Sequence, residues 1–451
     1  MKILSLVALA LALSCPAWAK TEKIKETALP NGLKVHEYRL DNGMQILLVP
    51  DTTAPVVTFQ AWFKVGSADE KMDPELKRTG LAHLFEHMMF RGTPKNPDQV
   101  FDNKLSAAGA VGMNATTWFD RTNYFESVPK ERLELVLDLE SDRMANLVIN
   151  EQLFKTELGA VFGELKMRND KPGSVAYEKI WNLAFDQHPY KYSVIGTPEE
   201  LNSFTVKDAM HFYRTFYAPN NATLILLGDF RVTQALKLVE KYYGKMKPQP
   251  LPSRNAPVEP EQTKARTQAL THPLAVSDVI MLGYKIPAMN HPDIAALDVA
   301  ASVLAYGNGS WLEQELVQEG IVSSVSASPS KARYPTLFLF SVQMTQGKSS
   351  DAALKTIRAA IARIAEGKVS PAELERAKNQ FLLYSYGELM SQSNIGKNLG
   401  DALVATDNYL REFEILDEVK KVTVADLQRV AKTYLIENRS NLLTVSPGKG
   451  N

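Results

Sequence analysis

Cysteine is almost absent from this sequence. Cys15 is the only one among 451 residues, so the chain can close no internal disulfide, and its stability has to come from packed cores. Charge of one sign is lacking too: 51 Lys and Arg offset 51 Asp and Glu. That balance leaves no electrostatic footprint for nucleic acid and excludes that class of partner. After the first fifteen residues no apolar run reaches the ~20 residues that a bilayer-crossing helix needs. Histidine is scarce as well, at seven residues, so any pair of them on one short segment carries weight.

What is present is apolar mass. Hydrophobic residues make up 45% of the chain, enough to bury more than one core, and the length exceeds the ~100–200 residues of a usual domain. At the start, Lys2 precedes an apolar run that ends near Cys15, and Ala17-Trp18-Ala19 supplies small residues for a signal-peptidase cut before Lys20. Residues 1–19 read as a signal peptide for export, periplasmic in destination. An uncleaved anchor and lipidation at Cys15, within Leu13-Ser14-Cys15, are the alternatives. The remainder carries no segment for stable membrane insertion.

Five prolines crowd the stretch Lys245-Met-Lys-Pro-Gln-Pro-Leu-Pro-Ser-Arg-Asn-Ala-Pro-Val-Glu-Pro-Glu-Gln-Thr. Each removes a backbone donor and disfavours both helix and central strand. Residues 246–262 are therefore expected to link a domain over 20–245 to a second over 263–451. The two halves echo each other. Phe204-Thr-Val-Lys-Asp-Ala-Met-His-Phe-Tyr-Arg-Thr-Phe-Tyr with Asn221-Ala-Thr-Leu-Ile-Leu-Leu-Gly is matched by Val422-Thr-Val-Ala-Asp-Leu-Gln-Arg-Val-Ala-Lys-Thr-Tyr with Asn441-Leu-Leu-Thr-Val-Ser-Pro-Gly. Each copy has a capping Thr (205 or 423), an amphipathic helix and a strand ending in glycine. The expected fold is α+β: two homologous domains, each a mostly antiparallel sheet covered by helices on one face.

The chemistry concentrates in Leu81-Ala-His-Leu-Phe-Glu-His-Met-Met-Phe-Arg-Gly-Thr. On a helix His83 and His87 fall one turn apart on the same face, with Glu86 beside them. Two imidazoles at that spacing grip one metal ion, and His-x-x-Glu-His is the inverted zinc-binding pattern. The adjacent carboxylate suits a base that takes the proton of the attacking water. A third ligand must come from elsewhere. Glu164 is the candidate, seven residues after Glu157 and hence on the same helical face; Glu157 is placed behind the ligands, orienting one of them or a water. A solvated polar face is the plain alternative, but Leu81, Ala82, Leu84, Phe85, Met88, Met89 and Phe90 point to a buried helix, where His and Glu need partners. The other histidines, His36, His188, His211, His272 and His291, lack ligand spacing and suit surface or capping roles.

These residues resemble the pitrilysin family, which includes insulin-degrading enzyme and mitochondrial processing peptidase, and the resemblance runs from about Asn42 through most of the chain. The 76 residues between His87 and Glu164 match the family's interval. So do Asn114-Ala-Thr-Thr with Tyr124, His188-Pro-Tyr to Gly196-Thr, and Tyr217 to Gly228. The resemblance implies one zinc per chain on His83, His87 and Glu164, with Glu86 as general base. It implies that Asn114, Ala115 and Thr116 form the edge strand to which a peptide substrate adds.

The second half departs from the family. At an offset of about 220 residues Glu157 and Glu164 map near Ala377 and Tyr384, so that copy holds no metal site. Active relatives carry there an Arg and a Tyr seven residues apart that stabilise the oxyanion; here, allowing one deletion, Val317 and Ser323 take those places, and the adjacent Arg333 and Tyr334 suit a turn. The resemblance thus implies a zinc endopeptidase subunit whose homologous partner brings the Arg/Tyr pair, a heterodimer enclosing a chamber. A processing peptidase for one dedicated precursor and a non-catalytic scaffold of the same fold are the competing readings. The N-terminal reading has a direct check: Edman or intact-mass analysis of the exported protein should begin at Lys20, whereas an acylated N-terminal Cys15 would establish the lipoprotein.

Overall fold

The computed structural model describes residues 21–448. The signal segment, the cut before Lys20 and Cys15 lie outside these residues. Twelve strands are described: β1 Thr21–Ala28, β2 Lys34–Leu40, β3 Gln45–Pro50, β4 Val56–Phe63, β5 Val111–Thr117, β6 Thr122–Pro129, β7 Ala222–Gly228, β8 Arg266–His272, β9 Val279–Ile286, β10 Val322–Pro329, β11 Thr336–Met344 and β12 Ser440–Pro447. They form a seven-stranded sheet in the order β1-β2-β3-β7-β4-β6-β5 and a five-stranded sheet in the order β10-β11-β9-β12-β8.

Without β1 and β2 the two sheets have the same topology. β3 runs parallel to β7 as β8 does to β12, and the remaining pairs are antiparallel. The duplication read from the sequence is thus built into strand order. It extends to the caps: Thr205 and Thr423 each accept from the amide three residues on, Asp208 and Asp426, whose carboxylates bond back to the threonine amide. Between Tyr243 and Arg266 there is no helix or strand, as repeated proline requires. This stretch is nonetheless pinned, since Glu259 accepts from the amides of Asp186, Gln187 and His188 and pairs with Lys285 at 2.7 Å.

Strand alternation sends side chains to two cores per sheet. In the first sheet Ile46, Leu48, Val57, Phe59, Leu224 and Leu226 face the helices of their own half, while Leu47, Val49, Trp62, Ile225 and Leu227 face the other way. That second face is covered too, by the helix Gln392–Thr406 of the second half, through Ile395, Leu399 and Leu403. The second sheet is treated in kind: Val279, Met281, Leu337, Leu443 and Val445 pack against Ala176, Ile180, Trp181 and Ala184 of the helix Pro172–Ala184, which belongs to the first half. Each half therefore lends one helix to the other. The linker joins the halves in sequence, and this exchange joins them in space.

Close approach of the lent helix depends on glycine. A Cβ on Gly400 would lie 2.1 Å from the fully buried Trp62 ring, and one on Gly396 would lie 2.6 Å from Gln60 Nε2. Gln60 itself donates to the Ser393 carbonyl at 2.9 Å, so helix and sheet are bonded where they touch. Overpacking at such a site costs about 1–3 kcal/mol. Gly400→Ala should lower the thermal midpoint, while Gly387→Ala, whose Cβ meets nothing within 4 Å, should leave it level or raise it; equal midpoints would show that the contact yields.

Candidate metal centre

The helix Leu81–Met88 is buried through Leu81, Ala82, Leu84, Phe85 and Met88. Phe85 anchors it against Tyr217 and Phe212, with ring centroids 4.5 and 5.4 Å away. At its start the buried Glu70 accepts from the Ala82 amide, a first-turn donor that the helix itself cannot satisfy. With the apolar face locked inward, His83 and His87 turn towards the helix Glu151–Asn169 and Glu86 towards Thr117 of β5.

There the sequence-predicted residues meet. Ligand atoms of His83, His87 and Glu164 all lie within 4.8 Å of one another, and among the described residues no other group of three such side chains does so. Glu164 Oε2 lies 3.4 Å from His83 Nε2 and 3.5 Å from His87 Nε2. Behind the pair, Glu157 is almost wholly buried. Its Oε2 lies 3.6 Å from His87 Nδ1, and its Oε1 accepts from Arg91. One helical face thus brings Glu164 to the inner nitrogens and Glu157 to the outer one.

Burial pushes His83 down to about 4, so it is neutral at ordinary pH, the form a metal requires. Glu157 and Glu164 hold His87 up at about 9. Glu164, hydrogen-bonded by His87 and flanked by His83 and Arg168, is held down at about 2. Glu86 is raised by burial against the opposing hydrogen bond from Thr117, whose Oγ1 donates to Glu86 Oε2 at 2.6 Å. Two imidazoles and a carboxylate converging on one point form a donor set that fits zinc, and a metal bound there would displace the proton that Glu157 and Glu164 otherwise hold on His87.

A cleft of about 500 Å³ opens over these residues, walled on one side by Asn114, Ala115, Thr116 and Thr117 of β5. Among the described residues β5 is the outermost strand of its sheet and pairs only with β6. Its ladder is interrupted between Val111 and Asn114 and regular from Asn114 to Thr117, so the regular part is the part beside the cleft. Next to it lies an aromatic cavity of about 420 Å³ lined by Trp118, Tyr177 and Trp181, with Arg168 bordering both spaces.

Three contributors escaped the sequence reading. Thr117 reaches Glu86 only because strand alternation points it there, and no local signal marks it. Arg91 follows the helix Leu81–Met88 and grips Glu157. Arg168 binds Glu164 one turn on, a spacing that was there to be read. The remaining histidines stay out of the cluster; His188 caps a short turn by accepting from the Tyr190 amide, and His211 lies 3.1 Å from Asp73.

In the second half the mapped positions carry no ligands: on the helix Pro371–Glu388, Ala377 is buried and Tyr384 is exposed. Val317 ends a π-helical turn, and Ser323 donates to the Gln343 carbonyl on the neighbouring strand. Arg333 bonds the Val404 carbonyl, and Tyr334 donates to the Arg254 carbonyl. Both residues serve contacts between segments outside the cleft.

Comparison with known proteins agrees with this architecture. The family model described as "Insulinase (Peptidase family M16)" matches residues 45–198, and that of the "Peptidase M16 inactive domain" matches residues 203–381. The zinc protease PqqE of Helicobacter pylori is 31% identical over 421 residues, covering 90% of this chain and 92% of that protein. A probable mitochondrial-processing peptidase subunit beta of Arabidopsis thaliana is 22% identical over 90% of this chain and 77% of its own length. The crystal structure of a protease from Helicobacter pylori superposes with a TM-score of 0.85 at 28% identity, covering 95% of this chain and all of that one. The chain belongs to the M16 (insulinase) peptidase family, the pitrilysin-type family that its motifs resemble, and is a metallopeptidase of the zinc type.

Proposed function

We propose that this chain is the metal-bearing subunit of an exported zinc endopeptidase, holding one zinc on His83, His87 and Glu164. The observation that carries this reading is the convergence of these three ligand atoms beside the half-buried Glu86 and an edge strand. Zinc bound there would supply Lewis acidity toward the scissile carbonyl and the attacking water.

The chain's own groups do the rest. Glu86, with its affinity for protons raised by burial, takes the proton of the attacking water and returns it to the leaving amine. Thr117 holds Glu86 Oε2 and so fixes the plane of that carboxylate. Glu157 steadies His87 from behind. The peptide adds to β5 at Asn114, Ala115 and Thr116 by main-chain hydrogen bonds, which tolerate many side chains.

Oxyanion stabilisation is the missing element. Val317 and Ser323 offer no cationic or phenolic donor to the cleft, and we assign that role to an Arg/Tyr pair on a homologous partner subunit. Relatives named as beta subunits of mitochondrial-processing peptidase support an assembly of this kind. An intact ligand set beside a base argues against a pure scaffold.

Hydrolysis of a quenched fluorescent peptide should require the mature chain together with a relative carrying the Arg/Tyr pair. Glu86→Gln should lower that activity about 10²–10⁴-fold while one zinc per chain is retained. Stoichiometric zinc without cleavage in any combination would sink the general endopeptidase reading. His83→Ala and Glu164→Gln should each abolish stoichiometric zinc by atomic absorption; retention in both would remove these residues from the ligand set.

A further inference from the structure

Glu164 does not present both of its oxygens to the imidazoles. Arg168, one turn further along the same helix, places Nε 2.8 Å and Nη2 2.7 Å from Glu164 Oε1. Both nitrogens converge on that single oxygen, and it is Oε2 that faces His83 and His87. The arginine also sits where the helix ends, at Asn169, where the macrodipole favours a cation. Its side chain is 46% exposed and borders the cleft.

The ordinary explanation is a helix-surface ion pair at i, i+4 spacing, which stabilises a helix slightly. Two features go beyond it. The partner is a residue of the converging ligand set rather than a solvated acid, and the guanidinium fork closes on the oxygen turned away from the imidazoles. Resting on the zinc reading above, we infer that Arg168 is a positioning residue: it occupies Oε1 of Glu164, so that the carboxylate offers the metal Oε2 alone. A catalytic zinc site has three protein ligands and keeps a position open for water or substrate. A carboxylate free to bind through both oxygens would fill that position. Arg168 would thus protect the open site rather than add a ligand to it.

The test uses the full mature chain loaded with cobalt(II), whose visible absorption weakens as coordination rises from four towards five or six. Arg168→Met removes the fork and keeps much of the aliphatic stem; Arg168→Lys restores one cationic donor. The expected result for Arg168→Met is one cobalt per chain, a weaker visible band, and kcat of the zinc enzyme, assayed with its partner, lower by about 10–100-fold at nearly unchanged KM. Arg168→Lys should fall between this variant and the wild type in both band intensity and kcat, and it carries the test should Arg168→Met fail to fold. A wild-type band and a kcat within twofold in the variants would overturn the assignment and leave a helix-surface pair. Failure of the wild-type chain to take up cobalt would overturn the metal reading together with this one.

Discussion

Both sheets of this protein are apolar on both faces, and no disulfide is available to hold layers together. Burying four sheet faces in one chain is the constraint that shapes the rest. Each half covers one face of its sheet with its own helices and the other with a helix lent by its counterpart. The candidate metal centre sits at the joints of this exchange. The helix carrying Glu157, Glu164 and Arg168 ends at Asn169, and Pro172 opens the helix lent to the second sheet. The helix received in return carries Asp401, which pairs with Arg121 at 2.8 Å, and Arg121 donates to the Thr116 carbonyl on the edge strand. The helix carrying Glu157 and Glu164 and the edge strand β5 are thus each tied to an inter-domain contact.

Within the centre, the acids share one arrangement. Each has an oxygen held by a neighbour: Glu86 by Thr117, Glu157 by Arg91, Glu164 by Arg168. A buried carboxylate with no partner is costly, and one with both oxygens engaged has none to offer. Holding one oxygen orients the carboxylate and leaves the other turned towards the imidazoles, as Oε2 of Glu157 and Glu164 shows. The environments then divide the acids by proton affinity, with Glu86 raised by burial and Glu164 lowered by His87 and its cationic neighbours. The roles proposed for them, base for Glu86 and metal ligand for Glu164, need that difference.

The second half shows that strand topology persists without the chemistry. Its five strands repeat the order of β3 to β7 in the first sheet, and the helix Pro371–Glu388 stands where Glu151–Asn169 stands in the first half, yet Ala377 and Tyr384 replace the acids. Packing constrains apolar positions along every strand, whereas a metal site depends on a few polar positions that can be lost without disturbing the core.

What the sequence determined by itself is local in its physics. His83 and His87 four apart, Glu157 and Glu164 seven apart, capping threonines and a proline-rich linker are legible because helical periodicity and backbone chemistry act over a few residues. The α+β class and the duplication follow from the same patterns repeated. Only the tertiary structure decided that Thr117 bonds Glu86 across 31 residues, that Arg91 grips Glu157 across 66, and that Gln60 meets a helix 333 residues away. Those contacts depend on how sheet faces are shared between the halves, and the alternation that makes a face apolar does not say which helix will cover it.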